Sequence, residues 1–509
     1  MMDWYATYIP NPNAENNPFR KSAPQTAALP NFMEIKNLLP QPFWAGHDSA
    51  LACYWKVWEI AFRNLKLPTP ENGFVSPYID TAFNGNLFMW DSAFILMFCR
   101  YASRAFNFQQ TLDNFYCKQH PDGFICREIR ESDGSDCFNR FDPPATGPEV
   151  LPWAEWEYYL NFGDRARLEK VFPALLAYHQ WMKHYRTWQD GTYWATGWAC
   201  GMDNQPRLSV HRGLKAGDGP VEWWDHDHMT WVDASFQALF AARILARMAD
   251  ELGSHEGSRL REEYNRLLAT LNISLWNDSA AFYFDRFADG SLSTVKTIGA
   301  YWALLAGEIP PERLPGFIAH LENESEFNRL HRVPTLSADH PDYNPQGGYW
   351  RGSVWAPTNY MILRGLTAHR LHDLAHEIGV NHHENVTRVF EQTGTLWENY
   401  APDSPERGST SAGDFVGWTG LPPVAVLFEY VFGLRPSVPD RRLVWDVRLL
   451  DEFGVYNYPF GANGRLDLRC APRRNADEKP NVTIKSNLPL TVELLWAGGS
   501  EMMEIGVGE

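Results

Sequence analysis

The chain has 509 residues and lacks several of the spacings by which sequences announce their chemistry. Its seven cysteines (53, 99, 117, 126, 137, 200 and 470) are odd in number, and none stands at Cys-x-x-Cys spacing. That pattern argues against a disulfide framework and against a zinc site. There is no Gly-rich phosphate loop and no Gly-x-Ser-x-Gly elbow, so nucleotide-dependent and serine-hydrolase chemistry fall away. Positive charge is short: 45 Lys and Arg stand against 62 Asp and Glu, for a net charge of -17. A nucleic-acid backbone or an anionic membrane surface is therefore not an expected partner. The longest apolar run, Phe88 to Cys99, is too short for a membrane span and is interrupted by Asp91. Met1 to Pro18 shows no basic and then apolar leader, so a reducing cytoplasm is the expected location.

Aromatic residues are plentiful. They make up 14% of the chain and include 22 Trp. A Trp-rich core accounts for many of these. Trp rarely buries fully, however, and its indole N–H needs a partner. A surplus near polar loops suggests flat ligands such as sugar rings.

Residues 1–45 are rich in Pro and Asn and read as an extended arm on the main body. From 46 to 436 the spacing of apolar residues predicts about twelve helical stretches, among them Ser49–Leu65, Ser92–Phe106, Asp233–Glu251, His369–Val380, Val386–Gln392 and Pro422–Phe432. Long loops rich in Trp, Asp, Glu, Asn and Arg alternate with short connections. Helical hairpins stacked in a ring would bring those loops to one face, so a twelve-helix toroid is the expected architecture. No repeat is visible in the letters. Residues 437–509 read as a small antiparallel β region, with strands expected at 442–449, 464–470, 481–486 and 490–496.

Four loop segments carry candidate chemistry. In Trp397-Glu398-Asn399-Tyr400, a carboxylate sits between aromatic residues, followed by a polar run to Trp418. In Gly201-Met202-Asp203-Asn204-Gln205-Pro206-Arg207, a second carboxylate follows Trp198 and a glycine that lets backbone approach a ligand. Two carboxylates in aromatic loops suit acid/base cleavage of a sugar acetal. Asp203, its pKa raised by apolar surroundings, would be the acid, and Glu398 the base that activates water. Each could instead be a cap or a satisfied buried carboxylate. Arg207 would orient a carboxylate or close a local ion pair. Third, Phe88, Trp90 and Asp91 would face the ligand, Asp91 accepting sugar hydroxyls, unless Asp91 and Ser92 only cap a helix. Fourth, Trp350, Arg351 and Trp355 would wall the pocket, unless they pack in the core. Trp224-Asp225-His226-Asp227-His228 has metal-type side chains, but consecutive residues seldom converge on one ion, and a pocket-rim loop is expected. Around Asp133, Gly134 and Asp136 the full calcium-loop spacing is missing. No metal or cofactor is expected.

In order along the chain, these segments resemble glycoside hydrolase family 63. NLFMWDSAF (86–94) resembles its early Trp-Asp-Ser block. FDPPATGPEVLPWAEW (141–156) resembles its Pro-Pro helix entry and adds Trp153 to the sugar-binding set. GMDNQPR (201–207) resembles its acid-bearing segment, and GGYWRGSVWAPTNYM (347–361), WENY (397–400) and GDFVGWTGL (413–421) its later blocks. The resemblance implies an (α/α)6 barrel and an inverting hydrolase of α-glucosides or α-mannosides of short substrates. It puts Asp203 at the acid position and Glu398 at the base position. Inversion would require the two carboxyls to stand roughly 6.5–9.5 Å apart. The insertion over 208–230 departs from the family pattern on the leaving-group side. A sugar epimerase or isomerase using His226 and His228 is the alternative. The expected partner is a small carbohydrate, and homo-oligomerisation stays open.

Overall fold

A computed structural model of the chain describes residues 9–25, 27–81, 84–212, 221–415 and 417–508. The fold is mainly helical, with sheets formed chiefly by the C-terminal residues. The principal helices are α1 (Asp48–Arg63), α2 (Met89–Cys99), α3 (Leu151–Phe162), α4 (Arg165–Tyr185), α5 (Val232–Leu252), α6 (Glu256–Ser274), α7 (Trp302–Ala306), α8 (Leu314–Glu322), α9 (Ala356–Ala368), α10 (His372–Thr393) and α11 (Leu421–Val431).

Two classes of helix follow from the sequence. Every residue of α2 and of α11 is buried, as expected where a helix is apolar all round. In α6 burial is confined to Gly257, Leu260, Glu263, Leu267 and Leu271, a single stripe at three- and four-residue spacing. The contacts sort the same way. Helix α2 packs on α3, α3 on α5, α5 on α7, α7 on α9, α9 on α11, and α11 returns to α2. Helix α4 lies against α3 and α5, α6 against α5, α10 against α9 and α11, and α1 against α10 and α11. Ends are set by local chemistry. The Asp164 side chain accepts the Arg167 N–H at the start of α4, while left-handed Gly163, Gly253 and Gly394 close α3, α5 and α10.

Some expectations change. The stretches at 369–380 and 386–392 are one continuous helix, α10. The polar run Asn381 to Asn385 resembles a break, yet His382, His383 and Asn385 are buried and face neighbouring elements. His382 contacts His331, and His383 Nδ1 meets the Pro422 carbonyl. The N-terminal arm is not simply extended. It forms short helical turns at Pro12–Glu15 and Phe32–Ile35 and a strand, β1 (Gln41–Trp44); its first eight residues lie outside the described residues.

Besides three short two-stranded pairs earlier in the chain, the strands of the C-terminal region are β2 (Leu434–Ser437), β3 (Arg442–Asp446), β4 (Phe453–Phe460), β5 (Gly464–Cys470), β6 (Val482–Ser486), β7 (Leu490–Trp496) and β8 (Gly499–Ile505). One sheet has the order β1-β4-β5-β6, the other β8-β7-β3-β2. The region is not purely antiparallel, because β3 and β7 pair in parallel, Leu443 opposite Val492. Strand β4 escapes sequence patterning because Gly454, Asn457 and Pro459 read as turn residues. They coincide with a register shift between Val455 and Tyr458. No helix among the described residues is long and apolar enough to cross a membrane.

Glu429 of α11, fully buried, ties the ring helices together. Its carboxylate accepts from Arg100 (2.6 Å), Arg364 (3.1 Å), Tyr101 (2.8 Å) and Tyr360 (2.9 Å). Both arginines also pair with Glu157 of α3. Removing Glu429 leaves two guanidinium groups short of a partner in a dry interior. Glu429→Ala is expected to cost about 3–5 kcal/mol, read by urea denaturation; a loss below about 1 kcal/mol would show that the network is not structural.

Candidate active site

One cavity gathers most of the singled-out residues. Phe88, Trp90, Asp91, Trp198, Gly201, Asp203, Trp350, Glu398 and Trp418 line it, joined by Arg127, Gly147, Pro148 and Tyr349. It is tight, about 90 Å³, so a bound group touches its walls. Phe88 to Asp91 lie at the start of α2, Gly147 and Pro148 just before α3, Tyr349 and Trp350 just before α9 and Trp418 just before α11, while Arg127, Trp198, Gly201, Asp203 and Glu398 come from longer connecting segments.

Glu398 is held on both sides. The Glu398 N–H donates to the Ala412 carbonyl at 2.9 Å, and the Ala412 N–H donates to Oε2 at 3.1 Å. The Tyr349 hydroxyl donates to Oε1 at 3.2 Å, and the Trp418 indole to the Glu398 carbonyl at 2.8 Å. Two residues on, Tyr400 exchanges backbone bonds with Val354 at 2.8 and 3.1 Å. The segment is therefore extended and paired, which explains why no helical or simple strand period describes it.

In the Asp203 segment, each polar residue after the aspartate is an anchor. Asn204 accepts the Trp350 N–H at 2.9 Å and donates to the Gly348 carbonyl at 3.1 Å, bracketing this loop to the one that carries Tyr349. Gln205 donates to the Thr335 carbonyl at 2.7 Å and accepts from Thr297 at 2.6 Å. Arg207 is buried between Asp233 and Asp285, with pairs at 2.8 Å to each. Gly201, at φ +77°, lies under Trp90, where an added Cβ would stand 3.5 Å from the indole. Helix α2 begins at Met89 without a side-chain cap bond. One oxygen of buried Asp91 and the Trp90 indole N–H have no protein partner.

Burial dominates the electrostatics. Loss of water pushes the Asp203 carboxyl up to about 6; nearby Arg127 opposes this, and Glu398 adds repulsion. Asp91 is pushed well above the carboxylate range, again first by burial and then by Glu398 and Glu128. Glu398 is raised by burial, against the pull of the Ala412 N–H and the Tyr349 hydroxyl. Three acids of shifted affinity thus share one small space.

The remaining expected residues lie elsewhere. Trp355 is fully buried behind the wall, stacked on Trp350 at 3.8 Å. Trp153 packs in the core against Phe94, Phe240 and Tyr360. Arg207 and Arg351 are not in the lining. His226 and His228 contact Trp188 instead of the cavity, and no His lines it among the described residues. Asp225 and Asp227 of the same run both meet Arg212, at 2.8 Å each, and no metal-type cluster occurs among the described residues. Of the insertion at 208–230, residues 213–220 lie outside the described residues. Arg127 was not foreseen. It sits in no motif, and its place follows from the pairing of Asn86–Phe88 with Glu128–Arg130. A larger cavity, about 630 Å³, opens at the C-terminal ends of the ring helices. Its Arg100 and Arg364 are paired with Glu157 and Glu429, and Arg435 meets the Glu429 carbonyl. The smaller cavity, with its three perturbed acids, is the better candidate for chemistry.

The chain is similar to known glycoside hydrolases. Residues 85–419 match the family described as mannosylglycerate hydrolase MGH1-like glycoside hydrolase domain. The mannosylglycerate hydrolase of Thermus thermophilus is 26% identical over 337 residues, covering 54% of this chain and 80% of that protein. A probable mannosyl-oligosaccharide glucosidase of Schizosaccharomyces pombe is 23% identical over 288 residues, covering 50% of this chain; the match spans 34%, about a third, of that longer protein. The crystal structure of a family 63 mannosylglycerate hydrolase from Thermus thermophilus in complex with glucose superposes with a TM-score of 0.58 at 21% identity, covering 74% of this chain and 99% of that one.

The Asn204 bracket yields a test. Asn204→Ala removes both bonds between the Asp203 and Tyr349 loops, and displacement of a reacting group by about 1 Å can cost about a hundred-fold. Turnover of a cleaved glycoside is expected to fall on that scale while the melting temperature moves little; unaltered turnover would mean that the loops hold their spacing without Asn204.

Proposed function

This chain belongs to the mannosylglycerate hydrolase MGH1-like glycoside hydrolases of family 63, and from that premise we propose that it cleaves an α-glucoside or α-mannoside with inversion, Asp203 as general acid and Glu398 as general base. The observation that carries this reading is the shared cavity, in which both carboxyls stand among aromatic walls and at shifted affinities. The relatives bear the names mannosylglycerate hydrolase and mannosyl-oligosaccharide glucosidase, which supports mannose or glucose as the sugar released. The circle of contacts from α2 back to α2 supports an (α/α)6 barrel over 46–436, with the cavity at the N-terminal mouth of its inner helices. The arm of 1–45 and the β-rich region of 437–509 flank it.

In the proposed reaction the Asp203 proton passes to the glycosidic oxygen as its bond to the anomeric carbon breaks. Glu398 takes a proton from a water that forms the new bond on the opposite ring face. Asp203 ends ionised, Glu398 ends protonated, and solvent resets both. The Tyr349 hydroxyl and the Ala412 N–H occupy one site on each Glu398 oxygen, which fixes the carboxylate plane. Trp90, Trp198, Trp350 and Trp418 supply apolar walls that raise the proton affinity of Asp203 and offer faces to a sugar ring. Epimerisation needs a base at carbon, and the lining of carboxyls without His favours acetal hydrolysis.

Asp203→Asn and Glu398→Gln are each expected to lower hydrolysis of α-glucosides and α-mannosides about a thousand-fold with the circular dichroism unchanged; normal turnover by either variant would remove that residue from the reaction. NMR of the first-formed sugar is expected to show the β anomer, and an α anomer would mean retention. Because Asp203 must enter the reaction protonated, kcat/KM is expected to fall as pH rises through about 6; a profile flat from about pH 5 to 8 would contradict its role as the acid.

A further inference from the structure

The aromatic wall does not stop at the cavity. Trp198, half-buried and in its lining, stacks on Trp223 with ring centroids 5.5 Å apart and planes 14° apart. Trp224 meets Trp198 edge-on at 6.2 Å and Phe138 at 6.2 Å. Phe138 in turn lies under the Arg127 guanidinium, at 4.7 Å, and Arg127 lines the cavity. The series therefore runs without a break from the cavity to the surface. There Trp223 is 39% and Trp224 45% exposed. Two adjacent indoles open to water on the rim of a polar cavity have no role in the core and mark a surface that covers something flat and partly apolar.

The short helix that carries them, Val221–Trp224, is held in place. It packs on the helical turn Gly197–Cys200 that bears Trp198. Just after it, Arg212 pairs with Asp225 and Asp227, His226 lies against Trp194 at 4.6 Å, and the Trp231 indole donates to the His226 carbonyl. The run of acidic and imidazole side chains is thus a clamp for the indoles.

We propose that Trp223, backed by Trp198, is a platform for a ring on the leaving-group side, so that the substrate is an α-glycoside whose leaving group is itself a sugar ring, not a small open-chain acid. The proposal rests on Asp203 being the general acid. That group must stand beside the leaving oxygen; Trp198 lies five residues before it in the same segment and lines the same cavity, which places the Trp198–Trp223 stack on the leaving-group side. A pyranose presents a flat C–H face that matches an indole. Glycerate has no ring to stack and would leave Trp223 in water.

The test compares two substrate types on the purified full chain. α-D-Glucosyl and α-D-mannosyl fluorides have a single-atom leaving group that cannot reach Trp223; α-linked glucose and mannose disaccharides can. In Trp223→Ala the ratio of kcat/KM for the best disaccharide to that for the matching fluoride is expected to fall about ten-fold, the scale of one ring-on-ring contact. Trp223→Phe is expected to restore most of it. Turnover of the fluoride reports that the variant is folded. An unchanged ratio in Trp223→Ala overturns the platform, as does a wild type that prefers glucosylglycerate or mannosylglycerate to every disaccharide, in both cases with the roles of Asp203 and Glu398 intact. If the wild type cleaves none of the fluorides, disaccharides and glycosylglycerates, the hydrolase reading beneath the proposal fails with it.

Discussion

The site depends on one costly arrangement: three carboxyls gathered in a small cavity with aromatic walls. Burial opposes ionisation of each, and the charge of Glu398 further opposes that of Asp91 and Asp203. The outcome is division of labour by environment. Glu398 has two donors on its oxygens, from Tyr349 and Ala412, which favour its charge. Asp91 has an oxygen with no partner at all. Asp203 lies between these extremes, with Arg127 near enough to temper the shift. In the proposed reaction this ordering is what allows one carboxyl to give a proton while another takes one.

Such a cluster persists only if its surroundings are rigid, and the surroundings are bonded accordingly. Asn204 joins the two loops that carry Asp203 and Tyr349. Arg207 fastens the first of them to Asp233 at the start of α5. The paired segments around Glu398 and Val354 fasten the third. At the other end of the same helices, Glu429 holds Arg100 and Arg364, so ion pairs tie the helices together below the cavity and hydrogen-bonded loops do so around it.

Much of this was legible in the letters. The helical periods of α1, α2 and α5 and the two carboxylates in Trp-rich loops were visible, because apolar spacing and an acid among aromatics leave local marks. What the letters hid were partnerships between distant segments. The run Asn381 to Asn385 looks like a loop until His331 and Pro422 are found opposite it. Arg127 carries no local sign and reaches the cavity only through a two-stranded pairing with Asn86–Phe88. Arg207 and Trp355 look like pocket residues because they lie beside Asp203 and Trp350, yet one is an anchor and the other a second layer of the wall. The parallel pairing of β3 with β7 depends on register between segments far apart in the chain, which no local pattern encodes.

Burial and the charge of Glu398 raise the Asp203 carboxyl well above an ordinary aspartate, so that it holds its proton up to about pH 6. The direct measurement is the titration of its side-chain carboxyl by 13C NMR in the wild type and in Glu398→Gln. The account predicts a midpoint near 6 in the wild type and a lower one in Glu398→Gln, where the repelling charge is gone. An Asp203 that titrates at an ordinary aspartate value in the wild type, or that does not move in the variant, would contradict it.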